Sequence, residues 1–326
     1  MSQLLEVLGL HPLEYEHPND RKALNALDKT PGLKQVLRWF NKQALDRVYT
    51  YQDRGSGLQL GEDQFPELDN LVRDTCRVLD LPDVPEAFLR WGFGVNAATT
   101  GAETPILILD SGCVDLLDES ERRFVIGHEI GHIKSRHVRY SQLAVVLRDT
   151  AAYVGALTLG IGQAMVLPLT LALLWWSRMS EFTADRAGLL ACQDLDAAMR
   201  TLSKMAGAPL RSFEDINLDA FMEQVRSFET MEYEQLNRVW KFIALIGDTH
   251  PWTVMRASEL VRWVESGEYD AVLRRQTQVA RQHSATSGFC AMCGRRLEGG
   301  EQFCPGCGSP IDASYLPSTS GLETTR

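Results

Sequence analysis

The run Asp118-Glu119-Ser120-Glu121-Arg122-Arg123-Phe124-Val125-Ile126-Gly127-His128-Glu129-Ile130-Gly131-His132 reads as a helix from its first residue. Asp118 can cap the free N–H groups of the first turn, and Glu119 and Glu121 suit the positive end of the helix dipole. The helix is expected to run to about Gln142. Residues four apart on a helix differ by about 40° in direction, so His128 and His132 leave one face together and can share a metal ion. Glu129 sits beside them. Two neutral imidazoles and a carboxylate leave a fourth tetrahedral position for water, whose pKa zinc lowers toward roughly 7, and Glu129 can accept that proton. Two surface histidines can bracket a glutamate by accident, so the assignment needs further residues.

They appear in Ser177-Arg178-Met179-Ser180-Glu181-Phe182-Thr183-Ala184-Asp185, where Glu181 and Asp185 are again one turn apart. One can reach the metal while the other orients a ligand. Metal-bound histidines usually donate their second ring nitrogen to a carboxylate or carbonyl, which makes Asp185 acting on His128 the natural pairing. Glu181 taken alone would read as a solvated helix carboxylate. His137, five residues after His132, points elsewhere on a continuous helix and reads as a surface residue rather than a ligand.

Taken together, His128-Glu129-Ile130-Gly131-His132, then Glu181-Phe182-Thr183-Ala184-Asp185, then Thr249-His250-Pro251 followed by Arg256, resemble a family of zinc metallopeptidases. It includes the HtpX heat-shock proteases and the CAAX prenyl endoproteases, and the resemblance covers roughly residues 65 to 265 in matching order. It implies His128, His132 and Glu181 as ligands of a catalytic zinc and Glu129 as general base. Asp185 then stands behind a ligand, and His250 lies near the reacting carbonyl, where it can donate to a developing oxyanion. Asn96-Ala97-Ala98 looks like the family's strand-associated Asn-Ala motif, without the aromatic residue that often follows it. Asn96 and Arg256 are therefore candidates for substrate binding; Arg256 could hold a carboxylate or the substrate backbone, or stand at the surface. The implied activity is a zinc-dependent endopeptidase that hydrolyses protein or peptide substrates without a covalent intermediate.

Working outward, residues 1–64 read as an N-terminal helical segment, with Leu24, Leu27, Leu33, Val36, Leu37, Phe40 and Leu45 at helical spacing. Residues 65–282 read as the peptidase domain. Within it Glu67 to Leu79 forms a helix, Ile106-Leu107-Ile108-Leu109 a strand, and Asp219 to Ile246 and Val254 to Arg281 further helices; Ala87 to Asn96 is ambiguous. The expected fold class is mainly α with a small β element, a gluzincin-like core plus a C-terminal zinc ribbon.

No charged side chain occurs from Thr150 to Ser177. A single membrane crossing there would separate His132 from Glu181, and two crossings plus a turn need roughly 40 residues. An apolar helical hairpin at 150–177, turning around Gly160 to Gly162, is expected instead. It is buried against the N-terminal helices or rests on a membrane surface, where Trp175, Trp176 and Arg178 would suit the interface.

Cys290-Ala291-Met292-Cys293 and Cys304-Pro305-Gly306-Cys307, with ten residues between the pairs, form a closed four-cysteine zinc site. A redox pair is the rival reading. The pattern resembles a zinc ribbon over 288–312, reached by a polar linker at 283–287 and followed by a disordered tail at 313–326. The expected cofactors are thus two Zn2+ ions, one catalytic and one structural.

Thirty-three basic against 43 acidic residues give a formal charge of −10, which opposes general binding to nucleic acid or anionic lipid. Arg295 and Arg296 are offset by Glu298, Glu301 and Asp312, so the ribbon suits protein contact better than nucleic acid. The remaining cysteines, Cys76, Cys113 and Cys192, fall in apolar or helical contexts and read as buried reduced thiols. No export signal is seen at Met1 to Leu10, which points to the cytoplasm, with membrane association left open. Two other classes compete with an active endopeptidase: a noncatalytic zinc-stabilised scaffold or chaperone-like adaptor, and a zinc-ribbon binding protein with a peptidase-like body.

Overall fold

A computed structural model describes residues 4–30, 33, 35, 37, 45–102, 104–157, 161–207, 210–232 and 251–282. The expected linker, zinc ribbon and tail, and His250, lie outside the described residues. In chain order, helices α1 (Pro18–Asp28) and α2 (Leu45–Ser56) precede strand β1 (Leu58–Gln59) and helix α3 (Pro66–Val78). Strands β2 (Glu86–Arg90), β3 (Ala97–Thr100) and β4 (Ile106–Asp110) follow, then α4 (Ser111–Leu116), α5 (Glu119–Lys134) and α6 (Val138–Leu157). The long α7 (Ile161–Cys192) leads to α8 (Leu195–Met205), α9 (Leu218–Glu232), α10 (Thr253–Glu265) and α11 (Glu268–Gln282). The protein is mainly helical with one four-stranded sheet.

The sheet order is β1-β2-β4-β3; β2 and β4 run parallel, while β1 and β3 are antiparallel to their neighbours. β4 is buried along its whole length, which is why residues 106–109 form a continuous apolar run rather than an alternation. Its period of two sends Leu107 and Leu109 into the main helical core and Ile106 and Ile108 to the opposite face against Phe88. β3 is an edge strand. Its register sets Thr99 opposite Leu107, and so on the helix-facing side.

Helix α5 crosses α7 at a seam of small residues. A Cβ added to Gly127 would meet the Ala191 Cβ at 2.3 Å, and one added to Gly131 would meet the Ala187 Cβ at 2.6 Å. Only hydrogen at these two positions allows the helices so close, which brings the 128/132 face of α5 to the 181/185 face of α7. Val7, Leu10 and Tyr15 join the same core, so the N-terminal residues are packed into the body.

Three expectations about helix extent are corrected. The helix through His132 ends at Lys134 instead of reaching Gln142, because Arg136 takes the left-handed conformation at φ 59°. His137 N–H then donates to His132 O at 2.9 Å and Arg136 N–H to Ile133 O at 3.0 Å, the Schellman closure that usually uses glycine. The stretch from Val254 to Arg281 is likewise two helices, broken at Gly267 with φ 77°. Around the apolar stretch, α6 ends at Leu157 and α7 is under way from Ile161, so Gly162 lies in the helix and not in the turn. At the base of this pair Leu143, Ala144, Leu173, Leu174 and Trp176 are buried with Ala23 and Leu27 of α1. Among the described residues no helix is long and apolar enough to cross a membrane.

Candidate metal centre

Helix α5 is anchored at its start by a reciprocal cap: Asp118 accepts from Glu121 N–H at 2.9 Å and Glu121 accepts from Asp118 N–H at 2.9 Å. Two turns on, His128 and His132 project toward α7. The Nε2 atoms of the two rings are 3.2 Å apart. Glu181 closes the triangle, with Oε2 3.4 Å from His128 Nε2 and Oε1 3.3 Å from His132 Nε2. Ligand atoms of these three residues all lie within 4.8 Å of one another. Two imidazoles and one carboxylate, turned toward a common point and screened from bulk water, are a donor set that fits zinc in its open, three-ligand form.

Behind His128, Nδ1 is 2.9 Å from Asp185 Oδ1. Asp185 is held in turn by Arg256, whose Nε donates to Oδ2 at 2.9 Å and whose Nη2 donates to Oδ1 at 2.6 Å. Burial pushes the Asp185 carboxyl up, but the Arg256 guanidinium and the His128 ring together hold the group below the usual carboxylate range. Arg256, read from sequence as a substrate contact or a surface residue, is thus 4% exposed and bound to an internal carboxylate. For His128 burial opposes the imidazolium, yet hydrogen bonds to Asp185 and Glu181 raise its pKa to about 9. His132 shifts downward, burial being the largest cause. A metal ion would displace the His128 proton, since only the neutral ring is a ligand.

Glu129 is buried beside the cluster, and Thr99 Oγ1 of the edge strand donates to its Oε2 at 2.8 Å. Nothing in the sequence singled out Thr99; its position follows from the β3–β4 register. Asn96 precedes β3, and its side-chain nitrogen donates to Asp110 Oδ2 at 2.9 Å. His137 corrects the surface reading. The left-handed turn at Arg136 swings it back, to 1% exposure with Nδ1 3.0 Å from His132 Nδ1.

A histidine pair and a glutamate from two crossed helices, with a further carboxylate alongside and an edge strand in contact with it, define the protein class as a metallopeptidase. Residues 62–264 match the family model described as Peptidase family M48, and the chain belongs to that family, whose members use zinc. It is similar to the plastoglobule-localized metallopeptidase 48, chloroplastic, of Arabidopsis thaliana, with 28% identity over 264 residues covering 80% of this chain and 75% of the relative. It is also similar to the protease HtpX homologs of Burkholderia multivorans, at 25% identity over 73% of this chain and 86% of the relative, and of Ralstonia nicotianae, at 26% over 74% and 86%. No solved structure matches the chain.

Proposed function

We propose that this chain is a zinc-dependent endopeptidase of the HtpX-like kind, with His128, His132 and Glu181 as the metal ligands and Glu129 as the general base. The observation that carries the reading is the convergence of the three donor groups within 4.8 Å, with Glu129 adjacent. Zinc, when bound, supplies Lewis acidity, which polarises the scissile carbonyl and lowers the pKa of water toward about 7. Glu129 takes the proton of the attacking water and delivers it to the leaving amine. The hydroxyl of Thr99 steadies the Glu129 carboxylate on the side of the sheet. The outer edge of β3, unpaired by any strand among the described residues, offers backbone N–H and C=O groups to an extended substrate, the usual way an edge strand takes up a peptide. Asn96, tied to Asp110, fixes the start of that strand. His250 donates to the oxyanion.

Cys290, Cys293, Cys304 and Cys307 hold a second, structural zinc in a ribbon at 288–312 that contacts protein partners, linked through 283–287 to a peptidase domain at 65–282. The active site faces the cytoplasm, with the α6–α7 hairpin packed on α1. Buried free thiols at Cys76, Cys113 and Cys192 support a reducing compartment.

Casein hydrolysis and zinc content, measured side by side, test the proposal. Glu129→Gln should keep both metals and lose hydrolysis by orders of magnitude; Glu181→Ala should lose one metal, and Cys290→Ser the other. Casein cleavage that survives Glu129→Gln would refute the catalytic assignment. A single zinc in the intact reduced chain, still bound after Cys290→Ser, would refute the ribbon.

A further inference from the structure

Contacts converge on the second histidine as well. His137 Nδ1 lies 3.0 Å from His132 Nδ1, and His137 Nε2 lies 3.1 Å from Asp20 Oδ2. Asp20, on α1, is 0% exposed. It is fixed by two more donors, Trp176 Nε1–H to Oδ1 at 2.9 Å and Thr183 Oγ1–H to Oδ2 at 2.6 Å, both from α7.

We propose that Asp20, acting through His137, positions the ligand ring of His132, so that helix α1 is a working part of the metal centre although it precedes the family-matched residues. The inference rests on the reading of His128, His132 and Glu181 as ligands.

The proton assignment supports it. A neutral His132 that binds metal through Nε2 must carry its proton on Nδ1. That N–H then donates to the lone pair of His137 Nδ1, 3.0 Å away. His137 then carries its own proton on Nε2, which lies 3.1 Å from the Asp20 carboxylate. His132 is then held in the one tautomer that leaves Nε2 free for metal. The Asp20 carboxylate also accepts from Trp176 Nε1–H and from the Thr183 hydroxyl, and donors of this kind favour its ionised form. Two further features fit this role better than plain packing. Two imidazoles and a carboxylate are costly to bury where apolar groups would fill the space. Arg136, the residue that turns His137 inward, accepts a left-handed backbone that is unfavourable for a non-glycine residue. Thr183, quoted only as part of the Glu181–Asp185 motif, gains a function as the brace between Asp20 and the ligand helix.

The test is zinc retention by the full-length chain against graded chelator, with Glu181→Ala giving the background of every other site. His137→Asn sets a carbonyl oxygen near the lost Nδ1 and keeps the acceptor for His132. His137→Gln reaches the Nε2 position, keeps the contact with Asp20 and removes that acceptor. The expected losses of zinc affinity are about 10–100-fold for His137→Gln and for Asp20→Asn, and less than about threefold for His137→Asn. Melts of the metal-stripped variants by circular dichroism establish that each is folded, and if a His137 variant is not, Asp20→Asn decides. Equal affinity in His137→Asn and His137→Gln, or wild-type affinity in folded Asp20→Asn, overturns the positioning role. Wild-type zinc retention by Glu181→Ala overturns instead the ligand assignment beneath it.

Discussion

Gly127→Ala adds one methyl group to the seam that brings the ligands together. The new Cβ would stand 2.3 Å from the Ala191 Cβ, 3.1 Å from the Gly188 Cα and 3.4 Å from the Ala187 carbonyl oxygen. Carbon atoms settle at about 3.5–4.0 Å, so α5 and α7 must part by about 1–1.5 Å, and no flexible side-chain end is there to give way. Overpacking costs about 1–3 kcal/mol, and a contact this short against a rigid Cβ puts the site at about 2–3 kcal/mol, offset by about 1 kcal/mol because alanine favours the helix over glycine; the net loss is about 1–2 kcal/mol. The same displacement carries His128, the next residue, away from Glu181, so zinc affinity should fall together with stability. Ala191→Gly removes the opposing methyl, and the double variant Gly127→Ala/Ala191→Gly should return to within about 1 kcal/mol of wild type, a coupling of about 1–3 kcal/mol. Denaturant melts of all four proteins, with zinc content referred to Glu181→Ala, give both quantities. A Gly127→Ala chain as stable as wild type, or strictly additive effects in the cycle, would refute the close-approach argument.

Arg256→Met should cost about 3–5 kcal/mol in denaturant melts, because it strands the buried Asp185 carboxylate; Arg256→Lys should recover only part, since an ammonium cannot reproduce the two-point contact. The raised pKa of His128 makes a pH prediction for the metal-stripped chain. A group raised in the folded state adds stability that is present in full below its unfolded value of 6.5 and is lost as pH rises through about 9. The stripped chain should therefore melt at falling temperature across that window, while zinc should bind more tightly as the proton leaves. A pH-independent melt would count against the carboxylate cage around His128. His250→Phe should lower the catalytic rate more than it changes substrate affinity, and unchanged rate with unchanged zinc would dismiss the oxyanion role.

The sequence alone carried the periodic features of this protein. His128 and His132 at i and i+4, and Glu181 and Asp185 one turn apart, are statements about helix period, which needs only neighbouring residues. The apolar run at 106–109 announced a buried strand, and the absence of charge from Thr150 to Ser177 announced the two helices that flank residues 158–160. What the sequence could not determine is where separate elements meet. The edge position of β3, and hence the contact of Thr99 with Glu129, follows from strand order and register, which depend on pairings far apart in the chain. Arg256 and Asp185 are 71 residues apart, and no local pattern tells a buried arginine from an exposed one. His137 was misread because a single left-handed residue, Arg136, stops the helix where glycine would ordinarily mark the stop. Asp20 gave no signal at all: an acidic residue in the first turn of an amphipathic helix looks solvated until packing of α1 on α7 removes its water and supplies Trp176, Thr183 and His137 in its place. Period and composition are properties of a segment, whereas desolvation and register are properties of the whole packed chain.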